Sequence, residues 1–520
     1  MPAKKKISAP KSLMGSGAVI EFSSNNVRMI IGERQKDGGI RMLDFMEHPL
    51  SIGKDTFTTG KLGFDKVGAA CAIVKNYLTA AAGYGVTPRD VRLIATSALR
   101  EAANKNYILD QIYLKTGLEV IILDSQEEKL NIFKTALRLM EHNDAPALLV
   151  FVGSGNVGFS IVEGGRIPFY HSVRIGPLRV SELFDDMARR SREYHIVVGE
   201  YVSTYLNIKT TLLPDKIARL ILTGGDITVL KTLCGTLHKN GVYHIMKTDF
   251  DKLYERVKDA STESIARDLK IPLYRADMLI PALSIVGNFF ALTGLDCAEA
   301  PPAYLNESML YRVLYPEQAR DTDKSFYKNT LLCVKSIAAR YGVSKAHSAQ
   351  VEGFAMKIYD KIRKIHGMGA RERALLQCAA HLHDCGKFVG ARDHAMNSYS
   401  IIKGLDIMGF NQQEMRILAM ICLLHTSKPP ESYNVYIYMP DNEKTVTAKL
   451  AAILRLADSL DRGASQKIKD IDVLIEDDSL IVHAVSNFNI DLEKWSFNTK
   501  CGFFGEVFGI KAVMKVKTTV

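Results

Sequence analysis

The first half of the chain is built from short apolar stretches separated by small polar turns. In the stretch 18–31, two apolar halves flank a polar turn, which is the pattern of a strand, a tight turn and a second strand. The stretch 148–161 repeats this pattern, with Ser154 at the position of Ser24. Because the copies lie about 130 residues apart, the repeat indicates a duplicated domain rather than a solenoid, whose repeats are far shorter.

Strand and helix patterns alternate around these two copies. An amphipathic helix is predicted over Phe64–Gly83. A strand pattern over 120–124 leads into a helix whose first turn contains Glu127 and Glu128. Another strand pattern, over 220–223, ends in a pair of glycines. This alternation is typical of a mixed α/β architecture.

The second half of the chain changes to helical spacing and then to a strand-rich end. Alternation over 470–475 and 480–484 around a polar turn predicts a small sheet, and 503–516 is interpreted as another strand-rich piece. The fold class is therefore α/β with a duplicated N-terminal half, followed by an all-α domain and a small β-rich segment. The predicted boundaries are 1–14 for a basic disordered tail, 15–140 and 141–312 for two α/β subdomains, 313–466 for the helical domain and 467–520 for the β-rich segment.

The repeated polar turns suit the binding of phosphate. Small residues let backbone N–H groups approach an anion, and hydroxyl and amide side chains add further donors. Two facing copies can clamp successive phosphates from opposite sides. Arg100 follows a strand end and can bind phosphate bidentately, although a surface ion pair is the alternative. The predicted phosphate-binding residues are Ser24, Asn25, Arg100, Gly153, Ser154, Gly155, Asn156, Gly224 and Gly225. Glu127 and Glu128 are either helix caps or a means of activating water.

A His-Asp pair in the helical half indicates a metal site. His383 and Asp384 end a long apolar run, where two such groups are costly unless a cation or hydrogen bonds satisfy them. His347 and Asp458 lie on other helical segments that can converge with the pair. Imidazole and carboxylate together suit zinc, iron or manganese. The alternative is a set of satisfied core polar groups.

Histidines are concentrated in the same region. Six of the chain's 13 histidines fall between 347 and 425. They are His347, His366, His381, His383, His394 and His425. This density favours metal ligands over a chance distribution of histidines. His394 and His425 can bind a second metal ion or contact phosphate.

Composition and charge narrow the class of protein. The 520 residues are too many for one core, and 47% hydrophobic with 24% charged residues is ordinary for a soluble protein. No apolar run reaches membrane-spanning length, and the N-terminus lacks the apolar core of a signal peptide. The eight scattered cysteines fit a reduced cytosol, so we expect a cytoplasmic protein without a membrane partner.

The net charge of +10, part of it in the basic tail, favours a polyanionic partner. A polyphosphate chain or a nucleotide is preferred over nucleic acid, because no RNA-binding or helix-turn-helix signature is present.

The order His, His-Asp, Asp resembles the HD superfamily of metal-dependent phosphohydrolases, and 383–387 is close to its HD-x-GK form. The resemblance implies that His347, His383, Asp384 and Asp458 bind manganese, iron, zinc or magnesium. It also implies that Lys387, together with Arg455 or His394, neutralises phosphate as charge develops.

The first 310 or so residues resemble the Ppx/GppA family of exopolyphosphatases and guanosine pentaphosphate phosphohydrolases. The motifs that carry the resemblance are 20–28, 95–100, 127–128, 153–155, 175–179, 223–225 and 309–315. The resemblance implies duplicated actin-like (ASKHA, ribonuclease H-like) domains followed by a helical HD domain. It further implies polyphosphate or guanosine polyphosphate as substrate or ligand, Glu128 as catalytic base, and a homodimer.

This chain departs from the family pattern at several positions, and two of these departures remove a carboxylate. Glu21 replaces an Asp, Phe151 replaces another Asp, and Gly158 replaces a Glu. Asp226 replaces a Thr and adds negative charge beside bound phosphate. Because such carboxylates hold magnesium, magnesium in this cleft is in doubt. We therefore expect an N-terminal cleft that is impaired or senses a ligand, and chemistry in the helical domain.

Two alternatives stay open from the sequence. One is a non-catalytic sensor of polyphosphate or nucleotide. The other is an HD nucleotidase or nucleotide phosphodiesterase that is regulated by the N-terminal half.

Overall fold

A computed structural model describes residues 15–36, 38–140, 145–164, 166–184, 193–206, 216–238 and 241–517. The predicted basic tail 1–14 lies outside these residues. The chain divides into two compact units, one up to Ser325 and one from Phe326, and the boundary falls within the helix Pro316–Arg340.

The first sheet of the N-terminal unit contains five strands in the order β3-β2-β1-β4-β5. They are β1 (Ser16–Phe22), β2 (Asn26–Arg34), β3 (Ile40–Pro49), β4 (Val91–Ala95) and β5 (Val120–Ile122). β1 and β2 form the predicted hairpin, in which Phe22 lies opposite Val27. β1 is parallel to β4 on its other side, so the hairpin turn and the end of β4 lie at the same edge.

The second sheet contains seven strands in the order β10-β11-β12-β9-β6-β7-β8. They are β6 (Ala147–Gly153), β7 (Asn156–Glu163), β8 (Arg166–Val173), β9 (Arg219–Thr223), β10 (Gly235–Leu237), β11 (Tyr243–Met246) and β12 (Cys297–Ala300). Its run β8-β7-β6-β9-β12 has the same strand directions as β3-β2-β1-β4-β5, an antiparallel meander followed by two parallel strands. The two sequence-similar hairpins, β1–β2 and β6–β7, therefore occupy equivalent places in the two sheets.

Helices accompany both sheets of the N-terminal unit. They are Ile52–Thr59, Phe64–Gly83, Pro88–Asp90 (3₁₀), Ser97–Glu101, Lys105–Thr116, Ser125–Leu139, Pro177–Leu183, Tyr194–Leu206, Ile227–Cys234, Lys247–Val257, Thr262–Leu269, Leu273–Asp277, Leu279–Thr293 and Leu305–Leu314. The predicted helix Phe64–Gly83 is confirmed. Asp124 caps Ser125–Leu139 in a capping box with Glu127, which satisfies the first backbone N–H groups of that helix. Glu127 thus has the capping role.

The C-terminal unit is built around packed helices. They are Lys345–Lys361, Arg363–His366, Ala370–Leu382, Cys385–Phe388 (3₁₀), His394–Lys403, Gln412–Leu423, Pro430–Ser432 (3₁₀), Asn434–Ile437, Asp441–Ser459 and Asp491–Phe508. Leu376, Leu418 and Leu454, from three different helices, are fully buried in its core. Among the residues that the structure describes, no helix combines the length and the apolar character needed to cross a bilayer.

The C-terminal segment differs in part from its prediction. The hairpin is confirmed as β13 (Asp470–Glu476) and β14 (Ser479–Val485), and β15 (Lys511–Lys517) lies parallel to β14. The strand prediction from residue 503 is wrong up to Phe508, because these residues end the helix Asp491–Phe508. The buried face of that helix includes Glu493 and Lys500, and these polar residues interrupt the apolar pattern that would have indicated a helix.

Candidate metal centre and phosphate cleft

The His383-Asp384 pair is fixed by a turn in which Gly386 has a steric role. A Cβ added at Gly386 would lie 2.0 Å from the carbonyl oxygen of His394. The hydroxyl of Ser398 accepts a hydrogen bond from the Gly386 N–H (2.8 Å) and donates one to the His383 carbonyl (2.6 Å). The glycine of the HD-x-GK stretch therefore permits the close approach that holds the pair in place.

The structure brings the four predicted metal ligands together. Nε2 of His347 lies 3.4 Å from Oδ1 of Asp458 and 3.7 Å from Oδ2 of Asp384. Nε2 of His383 lies at the same two distances from these oxygens. All four side chains are buried. Two imidazole nitrogens and two carboxylate oxygens thus face one point.

Hydrogen bonds set the tautomers of both imidazoles. Nδ1 of His347 lies 2.9 Å from Oδ2 of Asp461, and Nδ1 of His383 lies 3.0 Å from the carbonyl oxygen of Ala380. Each Nδ1–H is therefore the donor, and each Nε2 is directed at the centre. Nε2 of His383 is buried and makes no hydrogen bond with any described residue. A lone pair in this position is costly without a cation, so the donor set fits a divalent metal ion.

The charge around the centre also favours a cation. Burial lowers the pKa of His347, but the carboxylates of Asp458 and Asp461 outweigh burial and raise that pKa to about 9. Two ammonium groups contact the other ligands: Nζ of Lys387 lies 2.5 Å from Oδ2 of Asp384, and Nζ of Lys500 lies 2.5 Å from Oδ2 of Asp458. This cluster of buried carboxylates therefore attracts positive charge.

A second group of ligand atoms adjoins the first. Nε2 of His394 lies 3.1 Å from Nε2 of His425 and 3.8 Å from Oδ1 of Asp384. Nδ1 of each imidazole donates to a backbone carbonyl, that of Ala391 or that of Cys422. The two Nε2 lone pairs consequently face each other, an arrangement that a bound cation would relieve. Asp384 directs one oxygen toward each group.

Other polar residues of this region have structural partners. Nε2 of His366 contacts the Tyr359 carbonyl at 2.9 Å, and Nε2 of His381 contacts Oε2 of Glu352 at 2.7 Å. Arg455, predicted to help neutralise phosphate, donates instead to the carbonyls of residues 424 and 428 at 2.5 and 2.8 Å. It is buried, so its guanidinium stabilises a loop rather than facing a ligand.

The N-terminal unit contains a cleft between the two equivalent hairpins. Its walls include the predicted residues Ser24, Asn25, Glu128, Gly153, Ser154, Gly224 and Gly225. Three further predicted phosphate-binding residues have partners within the protein. Arg100 donates to the Leu123 carbonyl (2.6 Å), the Gly155 carbonyl accepts from Arg179 (3.0 Å), and Asn156 donates to Ser125 (3.3 Å). Arg100 also lies 3.9 Å from the carboxylate of Glu128, which lines the cleft, and the phosphate-binding role of these three residues stays a prediction.

Acidic groups in the cleft have perturbed pKa values. Burial raises the pKa of Glu21 to about 7, against the opposing effect of Arg28. Burial likewise raises the pKa of Asp226 to about 6, and that of Glu128 despite Arg100. Among the described residues, the groups of three side chains that could hold a metal ion lie in the C-terminal unit and not in this cleft.

Apolar groups occupy two positions where the sequence comparison predicted that carboxylates are replaced. The Phe151 ring lines the cleft and lies 2.7 Å from where a Cβ of Gly153 would be. The aliphatic stem of Lys129 lies 3.0 Å from where a Cβ of Gly158 would be, and its ammonium contacts the Ser172 hydroxyl. Neither position therefore offers a carboxylate to the cleft.

Two residues of the metal centre were not predicted. Asp461 orients His347, and Lys500 contacts Asp458. Asp461 follows Asp458 by three residues, which places both near one helix end and could have indicated a shared site. Lys500 lies 42 residues from Asp458 in the sequence, and no local signal connects them.

Comparisons with known proteins agree over most of the chain. Residues 33–317 match the Ppx/GppA phosphatase family, and residues 331–500 match Ppx/GppA phosphatase, domain III. The guanosine-5'-triphosphate,3'-diphosphate pyrophosphatase of Vibrio vulnificus is 21% identical over 416 residues, 78% of this chain and 79% of that protein. The protein of the same name from Vibrio parahaemolyticus is 21% identical over 89% of this chain and 90% of its own length. An exopolyphosphatase structure from Cytophaga hutchinsonii shares the fold, with a TM-score of 0.50 and 20% identity over 57% of this chain and 97% of that one.

Proposed function

The chain belongs to the Ppx/GppA phosphatase family of phosphoanhydride hydrolases, and on this premise we propose that it hydrolyses a polyphosphate-like anion at the metal centre of its C-terminal unit. The convergence of His347, His383, Asp384 and Asp458 on one point carries this proposal. A divalent ion held by these groups supplies the Lewis-acid chemistry for phosphoryl transfer to water. Manganese, iron, zinc and magnesium are the candidate ions.

Lys387 is the group best placed to contact the phosphate. Its side chain is 52% exposed while its ammonium contacts Asp384, so it can turn toward an incoming anion without unfolding its surroundings. An ammonium at that position stabilises the negative charge that develops on the transferred phosphoryl group.

We assign the N-terminal cleft a ligand-binding role. Small residues of the two hairpin turns line the cleft, where their backbone N–H groups can bind an anion, and Phe151 offers the cleft a ring rather than a carboxylate. The same polyanion class, polyphosphate or guanosine polyphosphate, is the proposed ligand. Glu128 remains the only residue of this cleft to which we assign a possible base role, and the following experiment tests it.

The experiment separates the two sites. The purified full chain with Mn²⁺ is assayed on polyphosphate and on guanosine pentaphosphate, alongside Asp384→Asn and Glu128→Gln. Loss of phosphate release with Asp384→Asn alone supports the proposal. Loss with Glu128→Gln alone would move catalysis to the N-terminal cleft and contradict it.

A phosphodiesterase is the second candidate function, favoured by the adjoining group of His394, His425 and Asp384. Two ions sharing one carboxylate can stabilise both the attacking and the leaving oxygen of a phosphodiester. Hydrolysis of bis-p-nitrophenyl phosphate but not of polyphosphate would select this function. The homodimer expected from the family resemblance stays a prediction, which light scattering on the purified chain checks.

A further inference from the structure

The helix Asp491–Phe508 contributes a buried cation to the metal centre. The side chain of Lys500 is 7% exposed, and its Nζ lies 2.5 Å from Oδ2 of Asp458. Burying an ammonium costs free energy unless an opposite charge compensates it. Lys500 and Asp458 therefore form a buried ion pair in the interior of the C-terminal unit.

The two oxygens of Asp458 have different partners. Oδ1 lies 3.4 Å from Nε2 of both His347 and His383, whereas Oδ2 is held by Lys500. With Oδ2 fixed in this way, only Oδ1 is directed at the point where the imidazoles converge. The ammonium also offsets part of the negative charge at that point.

Lys500 differs from Lys387, the other lysine of the centre, in the carboxylate oxygen it contacts and in its exposure. Lys387 contacts Oδ2 of Asp384, which faces the imidazoles, and its side chain is half exposed and free to leave. Lys500 contacts the oxygen that faces away, and it is enclosed. Its helix is anchored in the core by Phe497 and Phe504, which are fully buried. Lys500 can therefore stay in place when an ion is bound.

We propose that Lys500 is a positioning residue of the metal centre, which keeps Asp458 a one-oxygen ligand and limits how tightly the centre holds its ion. The proposal rests on the proposed metal site. It gives the C-terminal segment a role at the metal centre, because the helix Asp491–Phe508 of this segment supplies the counter-charge of a metal ligand.

The test compares variants of the full chain for Mn²⁺ binding. Lys500→Met removes the charge and keeps most of the volume, and Lys500→Gln keeps a hydrogen-bond donor without the charge. Lys494→Met is the matched control, since Lys494 lies on the same helix but is 46% exposed and pairs with Asp491 at the surface. The Mn²⁺ dissociation constant and the melting temperature in EDTA and in saturating Mn²⁺ are measured for each.

Both Lys500 variants are expected to bind Mn²⁺ about tenfold more tightly, because a nearby repelling charge has been removed. Their melting temperature falls in EDTA, where Asp458 is left without a counter-charge, and rises more on Mn²⁺ addition than in the parent protein. The visible spectrum of bound Co²⁺ also changes, because Asp458 is free to turn and offer both oxygens. Lys494→Met behaves as the parent protein.

Other outcomes overturn the proposal. Mn²⁺ affinity that is unchanged or weaker in both variants, with the same Mn²⁺-induced rise in melting temperature, would make Lys500 a purely structural residue. If Lys500→Met does not fold, Lys500→Gln decides the question. A parent protein that neither binds Mn²⁺ nor melts at a higher temperature with it would instead overturn the metal centre, and the proposed function with it.

Discussion

Nδ1 of His347 lies 2.9 Å from Oδ2 of Asp461, and Asp461 in turn accepts hydrogen bonds from the backbone N–H and the side-chain amide of Gln466. The carboxylate is thus held in position and fixes the imidazole with Nε2 toward the metal centre. A contact of this kind orients a metal-binding histidine without touching the ion.

Asp461→Asn is expected to weaken Mn²⁺ binding about 10- to 100-fold, because an amide no longer enforces the tautomer with a free Nε2. Isothermal titration with Mn²⁺ measures the effect. Asp472→Asn, at an exposed position of β13, is the control and should bind as the parent protein does. Equal affinities for the two variants would show that Asp461 does not orient His347.

Gly386→Ala is expected to destabilise the C-terminal unit by about 1–3 kcal/mol, because the new methyl group would overlap the His394 carbonyl. Urea unfolding measures the loss, and bound Mn²⁺ should fall with it since the turn carries both His383 and Asp384. At Gly390 an added Cβ meets open space, so Gly390→Ala is the control. Equal unfolding midpoints for the two variants would contradict the steric role of Gly386.

His394→Ala is expected to reduce the number of bound Mn²⁺ ions from two to one per chain. The remaining group of His347, His383 and Asp458 is untouched by this change. Elemental analysis after dialysis gives the stoichiometry. His483→Ala, a half-buried histidine of β14, should retain two ions. A parent protein that binds one ion would rule out the second site.

Polyphosphate binding by the N-terminal cleft is expected to weaken as the pH rises through about 7. Folding raises the pKa of Glu21 from 4.5 to about 7, so its carboxyl is protonated below that pH and negative above it. The same shift means that the stability Glu21 contributes is present below pH 4.5 and is lost as the pH rises toward 7.

Fluorescence anisotropy with labelled polyphosphate between pH 6.5 and 8 measures this binding, in an Asp384→Asn background to prevent turnover. Glu21→Gln should flatten the profile over this range. Burial raises the pKa of Asp226 to about 6, so this carboxyl group titrates mainly below the measured pH range. An unchanged slope in Glu21→Gln would exclude Glu21 as the titrating group.

The sequence predicted those features that local pattern determines. The two hairpins and the helix Phe64–Gly83 followed from periodicity, because strands and helices bury one face at a fixed interval. His383 and Asp384 were chosen as candidates because they end an apolar run, where a polar side chain needs a partner. His347 and Asp458 were added because they lie on other helical segments that can converge with this pair.

Features that depend on tertiary contacts were not predictable in this way. Lys500 resembles any other lysine until its helix is packed against Asp458. Arg100 follows a strand end, and the sequence does not show that its guanidinium donates to the Leu123 carbonyl. In both cases the partner lies on another element, and the chain alone gives no indication of it.

The packing around Phe151 and Gly158 bears on whether a carboxylate could be introduced at either position. A Cβ at position 158 would lie only 3.0 Å from the stem of Lys129, and an Asp at position 151 would leave the space of the buried Phe151 ring empty. Either substitution would therefore disturb the packing around it. A carboxylate at one of these positions thus needs a second, compensating change nearby, and we do not expect a single substitution to give the N-terminal cleft an ion ligand.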